Sequence, residues 1–353
     1  MAEWTEKEWG PLRDMVFRLC EAPGTPGDEE EAAKAVEKEV RRCLPGAQIQ
    51  RDTLGNLLVY FGDRQAPRQV LLDAHMDQIG MIVTRVEDSG FLRLAPCGGV
   101  DRRVLPGSVV TVHGKEPAYG IVCCKPPHLS NGDADKVPAV DQMFIDLGQD
   151  AETVKQNVSP GDRITLGEGP RALLGSRITA AGLDNRAGVA ALLRCAELLQ
   201  KETLSCGGIL LFSSREETGC EGAATGSFQA RPTEAVVVDV TFATQPGVAA
   251  HQGGKLGGGV MIGASSTLNR RMTQRLRDLA KEKEIPSQVE VMGGRTDTNA
   301  DAIGVSREGV PTALLSIPLR YMHTPVEVID LEDLEGVARL LAAYVLEGGE
   351  NRG

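Results

Sequence analysis

Val70-Leu71-Leu72-Asp73-Ala74-His75-Met76-Asp77 is an apolar run that ends in an imidazole and a carboxylate. A short stretch of aliphatic residues followed by ligand-type side chains reads as a buried strand that delivers chemistry at its C-terminal end. In extended backbone, residues i and i+2 share a face, so His75 and Asp77 are expected to project together. His75 is the expected metal ligand, and Asp77 the acid that orients its ring.

Four further patches complete a set. Leu183-Asp184-Asn185-Arg186 opens a stretch with Val189, Leu192, Leu193, Ala196 and Leu199 at helical spacing. Asp184 there is either an N-cap or a carboxylate free to bridge two cations, in which case Asn185 takes the cap. In Arg215-Glu216-Glu217, adjacent side chains diverge, so one acid can bind metal while the other faces a water. Asp239 closes the wholly apolar Ala235-Val236-Val237-Val238, where a carboxylate is costly without a cation or donors. His323, in Met322-His323-Thr324-Pro325, sits between a β-like run and a proline-fixed turn. Two imidazoles, three carboxylates and one spare acid are what a two-metal hydrolase requires. Two divalent cations bring four positive charges, which Asp184, Glu217, Asp239 and a bridging hydroxide would neutralise. His113, His128 and His251 have no such acids around them and read as structural. The glycine-rich stretch 253–259 lacks the phosphate-loop order G-x-x-x-x-G-K-[ST] and reads as a tightly turned loop beside the site.

Around these patches, helix and strand alternate up to about residue 83 and again from 183. Between them, short β-like runs recur every 8 to 15 residues, separated by Gly/Pro turns, with a single short helix and turn expected at 155–161. The expectation is an α/β chain in two parts. A mixed-sheet α/β/α domain comes from residues 1–83 and 173–353, and a small all-β domain, barrel-like, is inserted at 84–172. A length of 353 residues suits two domains. A net charge of −11 argues against nucleic acid or an anionic membrane as partner. The N-terminus lacks a signal-peptide layout and no apolar stretch approaches membrane-spanning length, so a cytoplasmic location is expected. The eight cysteines lack C-x-x-C spacing and are expected to be buried, reduced thiols.

Several motifs together resemble the di-metal tetrahedral aminopeptidases, the glutamyl and leucyl aminopeptidases of which some are mislabelled endoglucanases. They are D-T-L-G-N at 52–56, A-H-M-D-Q-I-G at 74–80, G-G-V-D-R-R-V-L-P-G at 98–107, L-D-N-R-A-G at 183–188, E-E-T-G at 216–219, D-V-T at 239–241 and R-Y-M-H-T-P-V-E at 320–327. The resemblance implies an α/β exopeptidase domain with an inserted β domain. It makes His75, Asp184, Glu217, Asp239 and His323 the ligands of two divalent metals, zinc first, with cobalt or manganese as alternatives. Asp184 would bridge, and either Glu217 or Asp239 could pair with either histidine. Glu216 would be the general base and Asp77 the orienting acid, acting on the N-terminal residues of short peptides. Assembly into a large homo-oligomer, commonly a dodecamer, is implied as well. Departures from the family pattern are Gln78 after Asp77, the stretch 294–301, and the glycine-rich loop, and they bear on substrate preference. The alternatives are another two-metal amide hydrolase such as a deacetylase, a metal-independent glycosidase, or a non-catalytic relative.

Overall fold

The apolar run before His75 forms the strand Gln69–His75, which lies inside an eight-stranded mixed sheet. The computed structural model describes residues 6–129, 136–249 and 252–347. The sheet order is Gln48–Arg51, Leu57–Gly62, Gly207–Ser213, Gln69–His75, Glu234–Phe242, Thr312–Leu319, Val260–Ser265 and Ser287–Met292. Four inner strands, Gly207–Ser213 through Thr312–Leu319, run parallel, which collects their C-terminal ends on one edge of the sheet. Strands covered on both faces bury nearly every residue, and this is why they read as unbroken apolar runs rather than alternating ones. On one face pack the helices Glu6–Glu21, Glu30–Cys43, Leu183–Leu199, Arg270–Glu282 and Leu331–Leu346. The other face carries Glu221–Ala230 and Asn299–Gly304. The protein has the mixed α/β fold that the motifs implied.

Six strands close a barrel in the order Gly80–Val86, Leu92–Cys97, Phe144–Asp146, Pro117–Cys123, Val109–His113 and Arg163–Leu166. Its interior is filled by Met81, Leu92, Val110, Val122, Ile145 and Ile164. The barrel starts at Gly80, before the expected change at residue 84. Gly80-Met81-Ile82-Val83 is as apolar as the strand preceding it, so composition alone does not mark the crossing. The helix in this part is Ala151–Asn157 rather than 155–161, because the Asp150 carboxylate accepts the Thr153 N–H at 2.9 Å and fixes the start. Pro160 forbids its continuation.

A small antiparallel sheet, Arg171–Ala172, Arg177–Ala180 and Glu327–Asp330, leads the chain from the barrel to residue 183. Asp330 caps the last helix, accepting from the Glu332 N–H at 3.1 Å. All eight cysteines are unpaired; Cys43, Cys195 and Cys206 are buried, but the other five are only partly so, contrary to expectation. Among the described residues, no helix is long and apolar enough to cross a membrane.

Candidate active site

His75 is the last residue of its strand, and its ring is almost wholly buried. Its Nδ1 lies 3.0 Å from the carbonyl oxygen of Asp77 and 3.5 Å from Oδ1 of the same residue. Because the strand stops at His75, Asp77 leaves the pleat, and the backbone carbonyl rather than the carboxylate makes the shorter contact. The Asp77 carboxylate instead accepts the N–H groups of Glu216 and Glu217, each at 3.0 Å. Its positioning role therefore extends to the acid pair, which the spacing of His75 and Asp77 did not suggest. That pair begins a one-turn helix, Glu216–Gly219, entered through Arg215 at φ +57°.

Asp184 is not a cap. Asn185 Oδ1 accepts the Gly188 N–H at 3.0 Å, while its Nδ2 donates to the Val238 carbonyl at 2.8 Å. This ties the helix start to the strand that bears Asp239. The Asp184–Asn185 peptide is cis. Freed from capping, the Asp184 carboxylate faces two imidazoles, with Oδ1 3.2 Å from His75 Nε2 and Oδ2 3.4 Å from His323 Nε2.

His323 sits at φ +62°, and its Nδ1 is 2.9 Å from the carbonyl oxygen of Gly99, a residue of the barrel segment. A Cβ at Gly99 would stand 2.7 Å from that Nδ1, so only glycine fits there. His323 Nε2 is also 3.5 Å from Glu217 Oε2. Asp239, expected at a strand end, lies within Glu234–Phe242, with Oδ1 3.8 Å from His75 Nε2. Glu216 Oε2 is 3.9 Å from the same nitrogen. All seven residues singled out in the sequence thus converge. Two trios share Asp184: His75, Asp184 and Asp239 in one, Asp184, Glu217 and His323 in the other, each with ligand atoms within 4.8 Å of one another. Of the three remaining histidines, His113 contacts Thr165 Oγ1 at 2.9 Å, His128 lies in the short turn Pro127–Leu129, and His251 is outside the described residues.

The electrostatics follow from packing many acids together. Burial pushes the carboxyls of Glu217 and Asp239 well above their usual range and that of Glu216 up as well; neighbouring Asp184 adds to each. Asp184 goes the other way: burial opposes its charge, but the two imidazoles outweigh burial and hold it below the ordinary range. Burial likewise works against the charge of His75, yet Glu216, Asp184 and Asp77 raise its pKa well above normal. His323 is raised by Asp184 against the same opposition.

Whether this set suits divalent cations is tested by its own geometry. Both histidines place Nδ1 on a backbone carbonyl, which assigns the N–H to that nitrogen and leaves the Nε2 lone pair aimed at carboxylate oxygens. Acceptors face acceptors across 3.2 to 3.9 Å, an arrangement that requires a cation or a proton between them. Glu217 Oε1 is buried with no hydrogen-bond partner among the described residues. The donor set fits a pair of divalent ions.

Sequence reasoning gave no role to Glu327, whose Oε2 accepts the Asp184 N–H at 3.1 Å and Oε1 the His323 N–H at 2.9 Å. It holds those two residues as Asp77 holds the glutamates. The signal was slight: an acid opening the short strand Glu327–Asp330, beside the aliphatic Val328 and Ile329. Asp73 was missed too. It accepts from Asn299 Nδ2 at 2.9 Å beneath His75, and burial pushes its pKa up to about 7.

Against known proteins, residues 55–340 match the profile of the M42 glutamyl aminopeptidase family. A lysyl aminopeptidase of Pyrococcus furiosus is 32% identical over 341 residues, spanning 95% of this chain and 96% of the relative. Among solved structures, an aminopeptidase from the archaeon Desulfurococcus kamchatkensis superposes with a TM-score of 0.90 at 32% identity, over 97% and 96% of the two chains. The Pyrococcus horikoshii TET1 peptidase, described as able to assemble into a tetrahedron or a large octahedral shell, gives 0.83 at 30% identity over 96% and 100%.

Proposed function

The chain belongs to the M42 glutamyl aminopeptidase family, and from that premise we propose that it removes N-terminal residues from short peptides with two divalent metals held by His75, Asp184, Glu217, Asp239 and His323. The observation that carries the reading is the Asp184 carboxylate, whose two oxygens face two different imidazoles. It supports Asp184 as the bridge, with His75 and Asp239 completing one cation's shell and His323 and Glu217 the other's. Zinc suits this mixture of imidazole and carboxylate, and cobalt or manganese would also be accepted. When bound, the cations supply Lewis-acid polarisation of the scissile carbonyl and lower the pKa of a water.

The protein's own groups do the rest. Glu216, whose carboxyl is raised by burial, takes the proton from the attacking water and returns it to the leaving amine. Asp77 fixes the backbone of both glutamates, and Glu327 that of Asp184 and His323. An acid of the cluster receives the substrate's α-ammonium. In this reading the catalytic part is discontinuous, built from chain on both sides of the barrel, and the barrel lends Gly98 and Gly99 to the site. Self-association into a large homo-oligomer, as described for the TET1 peptidase, goes with it.

Glu216→Gln tests the division of labour. The variant is expected to bind about two metals per chain while kcat falls roughly 10²–10⁴-fold. Full turnover with the metals in place would remove Glu216 from the proton-transfer role.

A further inference from the structure

Near Asp239 sits a carboxylate that this scheme leaves unused. Glu290 belongs to the edge strand Ser287–Met292, where alternation turns Gln288, Glu290 and Met292 to the half-buried face. Its Oε1 accepts from the Thr241 hydroxyl, and its Oε2 accepts from Ser316 Oγ at 3.4 Å. Thr241 lies two residues beyond Asp239 in the same strand and so shares its face. Ser316 is the register partner of Asp239 in the adjacent parallel strand, about 4.8 Å away. The Glu290 carboxyl therefore borders the proposed metal-binding acid through two neutral side chains, while standing outside the ligand set.

Its surroundings differ from those of the acids paired with a guanidinium and resemble those of Glu327 and Asp333, which are held by neutral donors. Glu39 is offset by Arg18 and Arg42, Glu234 by Arg68, and Glu335 by Arg194. Among the described residues, Glu290 has hydroxyl partners only, and no cation contributes to its electrostatics. A half-buried carboxylate with two neutral donors is incompletely compensated, and an incoming cation would complete it.

We propose that Glu290 forms the end of the subsite for the substrate's N-terminal side chain and selects lysine and arginine, whose apolar stems end in a cation. The proposal rests on the aminopeptidase reading of the neighbouring cluster. A substrate with an N-terminal glutamate or aspartate would place like charges together and be rejected.

The test compares lysine with norleucine, which keeps the stem and lacks the ammonium. Binding of L-lysine and L-norleucine to the metal-loaded protein is measured by calorimetry, and kcat/KM on lysyl, arginyl, norleucyl and glutamyl p-nitroanilides. The wild-type protein is expected to favour lysine over norleucine at least about tenfold in both measurements. Glu290→Gln should bring the ratio near one while norleucine values move less than about threefold. A wild-type protein that treats the two alike overturns the proposal without any variant, and so does a Glu290→Gln protein that keeps the preference. If no anilide is cleaved but lysine still binds tighter, the subsite stands and the aminopeptidase reading falls. Cleavage without lysine preference removes the subsite and leaves the aminopeptidase reading in place.

Discussion

Asp77 and Glu327 do similar work on different pairs of residues. Each spreads its two carboxylate oxygens over the backbone N–H groups of two functional residues. Neither contact involves a side-chain atom of its target, so each fixes where the backbone of a proposed ligand or of the proposed base sits. Glu327→Gln replaces one acceptor oxygen with an amide that cannot accept. One of the buried N–H groups of Asp184 and His323 then loses its partner, at a cost of about 1–3 kcal/mol. The expected outcome is a 10–100-fold loss of metal affinity, read by calorimetry. A variant that binds metal as tightly as wild type would reduce Glu327 to a structural acid. At this scale the residue types were legible in the sequence, since His, Asp and Glu against apolar runs have few bland uses. The pairing was not. It depends on turns at Arg215 and His323 with positive φ, a conformation uncommon for residues other than glycine. The target of Asp77 was hidden for a related reason, because the strand ends at His75, two residues before Asp77.

Between elements, the barrel and the sheet meet where Gly98 and Gly99 lie against Glu217 and His323. Gly99→Ala should push the His323 ring off the Gly99 carbonyl. Metal affinity would fall at the site His323 serves, while Tm of the metal-free protein moves little. Two metals bound with unchanged affinity would contradict this. A second junction lies at the glycine-rich loop, whose Gly257 and Gly259 N–H groups donate to Asp333 at 2.7 and 2.6 Å. Burial pushes the Asp333 carboxyl up to about 7; the two N–H groups oppose the shift and nearby Asp330 and Glu332 add to it. An unfolded Asp titrates near 3.9. Between about pH 4 and pH 7 the folded chain thus keeps a proton that the unfolded chain has lost. Stability falls as pH rises through that window and levels off above it. Metal-saturated protein is expected to lose on the order of 2 kcal/mol from this group between pH 5.5 and 8. In Asp333→Asn that part of the slope should vanish, and denaturant titrations at the two pH values decide. The strands of the barrel were readable from their turns. Its first strand, Gly80–Val86, was not read as one, because an apolar run gives no notice that it has left one sheet for another. The tether of the glycine-rich loop to Asp333 was invisible, since the partners are 74 residues or more apart.

Across the whole molecule, the site is assembled from segments that run from His75 to His323, and Gly99 brings the barrel into contact with it. What a sequence shows of such an arrangement is the list of participants and the strand order that could collect them. The distances that divide them into trios arise only on folding. The proposed metals would cross-link segments far apart in sequence, adding to the strand pairing and hydrogen bonds that already join them. In the chelated protein the imidazoles take up protons, as their raised pKa values imply, but bring fewer positive charges than two divalent ions, so the buried acids at the seam between barrel and sheet lose part of their attraction. Free metal at about a thousand times its dissociation constant would stabilise the fold by about 4 kcal/mol per site. Chelation should therefore lower Tm by about 10 °C or more for a chain of this size. The loss should also be local. Amide exchange is expected to speed up at 98–100, 183–186 and 320–325, which bear ligands or touch them, while the barrel interior around Val110, Val122 and Ile164 stays protected. Uniform acceleration would mean that the metals support the fold as a whole, and an unchanged Tm and exchange pattern would mean that the seam holds without them.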